Sequence, residues 1–313
     1  MTHGLLPLDG VKAYRFRIKL VSELNLKGGL HRFREGVLLE RDGYWAEASP
    51  LPGFSRESIG DVISALRGEQ TPPASLRFAW TQLETPIKAP IEVPFNRLLL
   101  GDANTILDSL KQPSAASCPA VKLKVGRGNL HSELQLVRRV RDRLPQNTQL
   151  RLDANRAWTF EQAQEAAEHL SGIDLDYIEE PLTEPGRLEE LHKLTGLRYA
   201  LDETLIEGTN LSDWPNAVAM ICKPTILGGR DAILRLADTG KPVVFSAAFE
   251  SGIGIAHIVQ LASEFSPHLP AGLDTLDWLS EDLLEISPTK NAGMLRFEQP
   301  PQARVIGLEP ISL

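Results

Sequence analysis

Residues 120–126 read Ala-Val-Lys-Leu-Lys-Val-Gly, and residues 149–155 read Gln-Leu-Arg-Leu-Asp-Ala-Asn. Both runs alternate apolar and polar side chains with a period of two, which marks a strand whose two faces meet different surroundings. Val121, Leu123 and Val125 share one face of the first run, and Lys122 and Lys124 share the other. In the second run Arg151, Asp153 and Asn155 lie together opposite Leu150 and Leu152. Two more strand-like runs follow, Tyr177-Ile178-Glu179-Glu180-Pro181 and Ala200-Leu201-Asp202-Glu203, each ending on carboxylates. Glu179 lies 26 residues after Asp153 and Asp202 lies 23 after Glu179, each step about one strand–helix unit.

The same alternation extends outward from these runs. Strands are predicted at Leu98–Leu100, Ala120–Lys124, Thr148–Leu152, Leu175–Ile178, Tyr199–Leu201, Val218–Cys222, Val243–Phe245 and near Ala271–Leu273. Helical spacing falls between most of them, as over Leu130–Leu144, Phe160–Leu170, Arg230–Leu236 and Ile255–Phe265. Such steady alternation predicts an α/β fold of the TIM-barrel type rather than an open sheet, and we assign residues 96–290 to it. Residues 1–95 read as a smaller α+β unit. It has strands at Ala13–Leu20, Gly36–Glu40 and Tyr44–Ala48, a turn at Arg41-Asp42-Gly43, and helices over Asp61–Leu66 and Ala74–Leu83. The three prolines of Thr85–Pro94 read as a linker, and residues 291–313 as a segment that packs back on the first unit.

Composition narrows the function. The 313 residues are 42% apolar and 24% charged, an ordinary globular balance with enough chain for a large core. Two cysteines, Cys118 and Cys222, exclude a disulfide framework and a Cys-rich zinc site and fit a reducing compartment. A net charge of −8 without a long basic run argues against nucleic acid as a partner. No apolar run approaches the ~18 residues of a membrane span, and the N-terminus lacks a charged-then-apolar leader, so a cytoplasmic protein is expected. The seven histidines do not cluster at ligand spacing, and no G-x-S-x-G elbow occurs.

Catalytic groups of a barrel sit at the carboxyl ends of its strands. Lys122 and Lys124 on the inner face of a buried strand are costly without acids nearby; the alternative is a wet edge strand. Taken singly, Asp153, Glu179 or Asp202 is better read as a helix N-cap or a solvated loop acid. Three carboxylates in register favour instead a hard-oxygen site suited to Mg²⁺. Lys223, in Met220-Ile221-Cys222-Lys223-Pro224, ends the sixth strand, roughly opposite the second. A metal holding a substrate carboxylate, one lysine removing the adjacent proton and a second cation facing the resulting enediolate make a coherent set.

Asp153, Glu179 and Asp202, with Lys122-x-Lys124 before them and Lys223 after, resemble the enolase superfamily, muconate-lactonising branch, over nearly the whole chain. The resemblance implies an α+β capping domain, a modified (β/α)₇β barrel and a C-terminal return to the cap. Within the branch, LRLDANRAW (150–158), YIEEPL (177–182), ICKPT (221–225) and GLDTLDWL (272–279) are similar to the dehydratases of menaquinone biosynthesis. What this implies is a Mg²⁺-dependent syn elimination of water from a succinyl-hydroxycyclohexadiene carboxylate, with Mn²⁺ as a substitute metal. Lys124 is then base and acid, its pKa expected to be depressed by burial, Lys122 and the metal. Lys223 stays protonated, and Lys122 tunes Lys124. Arg151 and Asn155 either touch the small carboxylate substrate or support Asp153. Ser246 and the backbone N–H groups of 245–254 are expected at the substrate, with Ala247 and Ala248 where related enzymes are richer in serine. The loop Ser22–Arg34 reads either as a lid over the site or as an ordinary surface hairpin, and the resemblance implies a monomer. Two other readings stay open. A racemase of N-acylamino acids or an epimerase of dipeptides would use the same two lysines, though GLDTLDWL favours the dehydratase. A barrel kept only for binding would have no need of six buried charges.

Overall fold

The computed structural model describes residues 6–26, 29–112 and 117–313. Three antiparallel strands open the chain: β1 (Lys12–Leu26), β2 (Gly29–Arg41) and β3 (Tyr44–Ala48). The predicted turn joins β2 to β3. Asp42 and Gly43 both adopt positive φ, 55° and 82°, as a two-residue hairpin turn with the twist of its strands requires. Both faces of β2 are buried over Gly36–Glu40. Val37 and Leu39 pack under the helices Ile59–Leu66 and Ala74–Glu84, whereas Leu38 joins the core that runs into the barrel. This sheet is therefore a layer between its own helices and the rest of the molecule.

After β4 (Ile91–Pro94), seven parallel strands follow: β5 (Asn96–Leu99), β6 (Ala120–Lys124), β7 (Gln149–Asp153), β8 (Tyr177–Glu179), β9 (Tyr199–Leu201), β10 (Ala219–Cys222) and β11 (Val243–Phe245). They are hydrogen-bonded in chain order, as a barrel wound from successive β/α units must be. The eighth strand predicted near Ala271–Leu273 is reduced to two bridges, Phe95 with Ala271 and Ser246 with Gly272. These are enough to close the ring: Asn96 N donates to Ala271 O at 2.8 Å and Ala247 N to Gly272 O at 2.9 Å. The fold is a TIM-type barrel with an α+β cap. Among the described residues no helix is long and apolar enough to cross a membrane.

Two local predictions need correction. The linker over 85–94 ends in a strand, because β4 pairs antiparallel with β13 (Met294–Phe297), itself paired with β12 (Thr289–Asn291). Its prolines do not forbid this: Pro86 and Pro90 precede the strand, Pro94 ends it, and β4 is an edge. The C-terminal residues thus divide between this small sheet and β14 (Glu309–Ile311), which pairs with β1. Likewise Ser22–Arg34 is mostly strand rather than loop, since β1 runs to Leu26 and β2 starts at Gly29. Lys27 and Gly28 lie outside the described residues.

Buried polar contacts dock the cap on the helix Gly252–Phe265. Arg34 donates to the carbonyls of Phe249 (3.0 Å) and Ala248 (3.2 Å) as well as those of Ser49 and Pro50. Glu47 accepts from Ser251 N (3.1 Å) and Gly254 N (3.0 Å), the exposed amides of that helix's first turn. Gly254 permits the approach: a Cβ there would lie 2.7 Å from Glu250 Cβ and 3.1 Å from Glu47 Oε2.

His257 closes the contact, its Nε2–H donating to Trp45 O at 3.0 Å while Nδ1 is buried without a partner. Burial pushes its pKa down to about 4, against the weaker pull of the Trp45 carbonyl. The unfolded chain therefore binds the extra proton first as pH falls, and stability from neutral His257 is present above about 6.5 and lost toward 4. Denaturant unfolding is expected to show His257→Gln losing about 2 kcal/mol less than wild type between pH 7 and pH 5.

Candidate active site

Strand register builds the site. β6 lies between β5 and β7, so Lys122 and Lys124 are on an interior strand and not on a wet edge. Pairing sets Lys124 opposite Asp153, and Asp153 opposite Glu179. Asp202 follows β9 directly, and Lys223 follows β10. Lys122 Nζ lies 2.9 and 3.2 Å from the Glu179 oxygens and 3.1 Å from Asp153 Oδ2. Lys124 Nζ donates to Asp153 Oδ2 and to Asn155 Oδ1, both at 2.6 Å. Lys223 Nζ donates to Asp202 Oδ2. The three carboxylates are almost completely buried, and three ammonium groups balance their charge.

The electrostatics follow from this packing. Burial alone would raise the Asp153 carboxyl, but Lys124 and Lys122 outweigh it and hold Asp153 well below the usual carboxylate range. At Glu179 burial prevails over Lys122 and the pKa is raised. Burial would lower the Lys122 ammonium, yet Glu179 and Asp153 raise it; Asp202 and Glu203 do the same for Lys223. Asp153, Glu179 and Asp202 are turned to the lysines, and among the described residues no three His, Cys, Asp or Glu side chains are gathered at one metal-binding point. The donor set nevertheless fits a hard divalent cation, with carboxylates at three neighbouring strand ends. Asp202 Oδ1 is also buried without any hydrogen-bond partner, which a bound cation would supply.

Residues 106–301 match the family model described as Enolase C-terminal domain-like. The chain belongs to the enolase superfamily. Among its relatives is an o-succinylbenzoate synthase of Enterobacter sp. (strain 638), 28% identical over 322 residues that span 93% of this chain and 98% of the relative. The solved o-succinylbenzoate synthase of Thermosynechococcus elongatus BP-1, complexed with Mg in the active site, aligns with a TM-score of 0.75 at 24% identity, covering 88% of this chain and 95% of that one. The L-Ala-D/L-Glu epimerase of Bacillus subtilis aligns with a TM-score of 0.78 at 16% identity, covering 95% and 98%. At those identities the two solved structures speak to the fold alone.

This enolase-superfamily chain does not assemble every residue its sequence suggested. Arg151 is 1% exposed and sits two residues before Asp153 on β7, toward the opposite end of the barrel. Its guanidinium donates to Pro270 O (2.6 Å), Asp176 Oδ2 (2.9 Å), Gln149 Oε1 and Asn96 Oδ1. None of these bonds goes to Asp153, so Arg151 neither faces the substrate nor supports that acid. Period two placed it on the correct face but could not give its depth. Asn155 does reach the site, bridging Lys124 to Glu203 through Nδ2 at 3.0 Å from Oε1. Ser246 is buried against Gly272, its hydroxyl 3.4 Å from the Gly272 carbonyl. Four of the amides over 245–254 are taken by the chain's own acids. Glu47 accepts from Ser251 and Gly254, Asp282 from Gly252, and Glu250 from Ala248.

Sequence reasoning missed four contributors. Glu180 and Glu203 each follow a predicted acid directly, and the doubled acids at 179–180 and 202–203 were the available signal. Arg156 ties Glu180 to the loop after β9 by donating to Glu180 and Thr204. Phe54, from the cap, places its ring 5.4 Å from Lys223 Nζ, a long-range contact with no local signature. Replacing Arg151 with alanine is expected to cost about 3–5 kcal/mol in unfolding free energy, as loss of one partner of a buried ion pair does. The folded variant's affinity for divalent metal, read by calorimetry, is expected to stay within about twofold of wild type.

Proposed function

We propose that this enzyme is an o-succinylbenzoate synthase, a lyase of menaquinone biosynthesis converting 2-succinyl-6-hydroxy-2,4-cyclohexadiene-1-carboxylate to 2-succinylbenzoate. The observation that carries the reading is that Lys124 and Lys223 each contact a different strand-end carboxylate, Asp153 and Asp202. The similarity to named o-succinylbenzoate synthases over most of the chain supports this substrate. We propose a monomer, and a cytoplasmic location that the two buried free cysteines support.

Asp153, Glu179 and Asp202 would hold Mg²⁺ or, in its place, Mn²⁺, which when bound supplies a hard Lewis acid for the substrate carboxylate. Lys124, held by Asn155 Oδ1, takes in its neutral form the proton on the carbon next to that carboxylate. The electron pair left behind enters the carboxylate to form an enediolate, which faces the ammonium of Lys223. As the enediolate collapses, the C–O bond at ring position 6 breaks, and Lys124 returns its proton to the departing hydroxyl so that water leaves. One lysine serving both transfers makes the elimination syn, and the ring becomes aromatic. Lys122 fixes Glu179 and Asp153 in place. Phe54 beside Lys223, and Phe249 edge-on to Trp278 at 6.0 Å between centroids, supply apolar surface for the ring.

The test follows the diene absorbance on adding the substrate. Rapid, Mg²⁺-dependent loss is expected, stopped by a chelator, with Lys124→Ala slower by at least about 10³-fold and Lys223→Ala also impaired. No turnover by a folded, metal-binding protein overturns the dehydratase. Deuterium uptake into N-succinylamino acids or dipeptides would then favour the racemase or epimerase, in which Lys124 and Lys223 act from opposite faces.

A further inference from the structure

Asp202 stands at the N-cap position of the short helical segment Glu203–Glu207, where an aspartate ordinarily turns its carboxylate back to accept from the amides that follow. Here it makes no such bond. Its Oδ2 accepts from Lys223, and its buried Oδ1 has no partner. The amides are served by a neighbouring strand instead. Glu180, 0% exposed, accepts with Oε1 from Asp202 N at 2.9 Å and Thr204 N at 2.8 Å. Its Oε2 accepts from Thr204 Oγ1 and Arg156 Nε, both at 3.0 Å. Arg156 completes the knot by donating to Thr204 Oγ1 at 2.9 Å and to Glu207 Oε2 at 3.0 Å. The loops after β7, β8 and β9 are thereby joined through one buried carboxylate.

The backbone is bent to reach this arrangement. Asn155, Arg156 and Glu180 all have positive φ, at 43°, 60° and 38°, a conformation unfavourable for residues with a side chain. At the end of β8 the bend lets Glu179 and Glu180 do different jobs: Glu179 meets Lys122, and Glu180 meets the backbone of the next strand end.

We propose that Glu180 is a positioning residue that takes over the capping duty of Asp202, leaving the Asp202 carboxylate free to ligate the divalent cation. The inference rests on the metal site proposed above. Without Glu180, Asp202 N and Thr204 N lose their acceptor, and the N-cap position of Asp202 offers Thr204 N its own carboxylate instead. That carboxylate then turns away from the site.

Mn²⁺ binding, counted from the electron paramagnetic resonance signal of the free ion, tests this without reference to turnover. Glu180→Ala is expected to raise the Mn²⁺ dissociation constant by about tenfold or more, the range seen when a group that orients a metal ligand is lost. Glu180→Gln keeps a carbonyl oxygen for both amides and is expected to stay within about threefold of wild type, with circular dichroism showing both variants folded. A purely structural role would lower the melting temperature of Glu180→Ala while leaving its Mn²⁺ affinity at the wild-type value, and that result overturns the proposal. If wild-type protein itself takes up no Mn²⁺, the metal reading fails and this inference falls with it.

Discussion

Six charged side chains buried at neighbouring strand ends must balance one another, and the architecture around them answers that constraint. Asp153, Glu179 and Asp202 are each within reach of a lysine ammonium, and strand register brings the first two there. A displacement of β6 against β7 by one residue would turn both lysines out of the barrel and leave Asp153 and Glu179 buried and unpaired. Charge balance at the top of the barrel and apolar packing around its outside therefore select the same register. Val121, Leu123 and Val125 fill the core on the face opposite Lys122 and Lys124.

The cap meets the barrel through a second buried polar cluster of a different kind. Arg34 and Glu47, from β2 and β3, are spent on the backbone just before and within the first turn of the helix Gly252–Phe265. Burial, with the nearby Glu250, pushes Glu47 up to about 7, against the pull of Ser251 and Ser49. The terminus of that helix is thus part of the joint between cap and barrel. At the rim of the site Phe54 from the cap meets Lys223 from the barrel.

Much of the barrel was legible because its signals are local. The bounds of β6 follow from alternation, those of β9 from its place in the strand–helix repeat, and Phe160–Leu170 from helical spacing. Edges and joints were harder. Ile91–Pro94 forms a strand only because Met294–Phe297, some two hundred residues on, lies beside it. The last barrel strand is two bridges whose existence depends on ring closure. Arg151 and Asp153 share a face of β7, yet one plugs the far end of the barrel and the other meets the lysines. Alternation reports the face of a strand and carries nothing about depth along a barrel.

By itself the sequence determined which chemical groups this protein places at its strand ends, because period two and the strand–helix repeat are properties of the local chain. The tertiary structure alone decided which of those groups work together. Glu180 and Glu203 look like ordinary neighbours of Glu179 and Asp202 until the loops after β7, β8 and β9 are folded against one another. Only then does one carboxylate accept the amides that a second would otherwise cap. A buried polar group must find a partner wherever the fold supplies one, and where it is supplied depends on contacts between residues far apart in sequence.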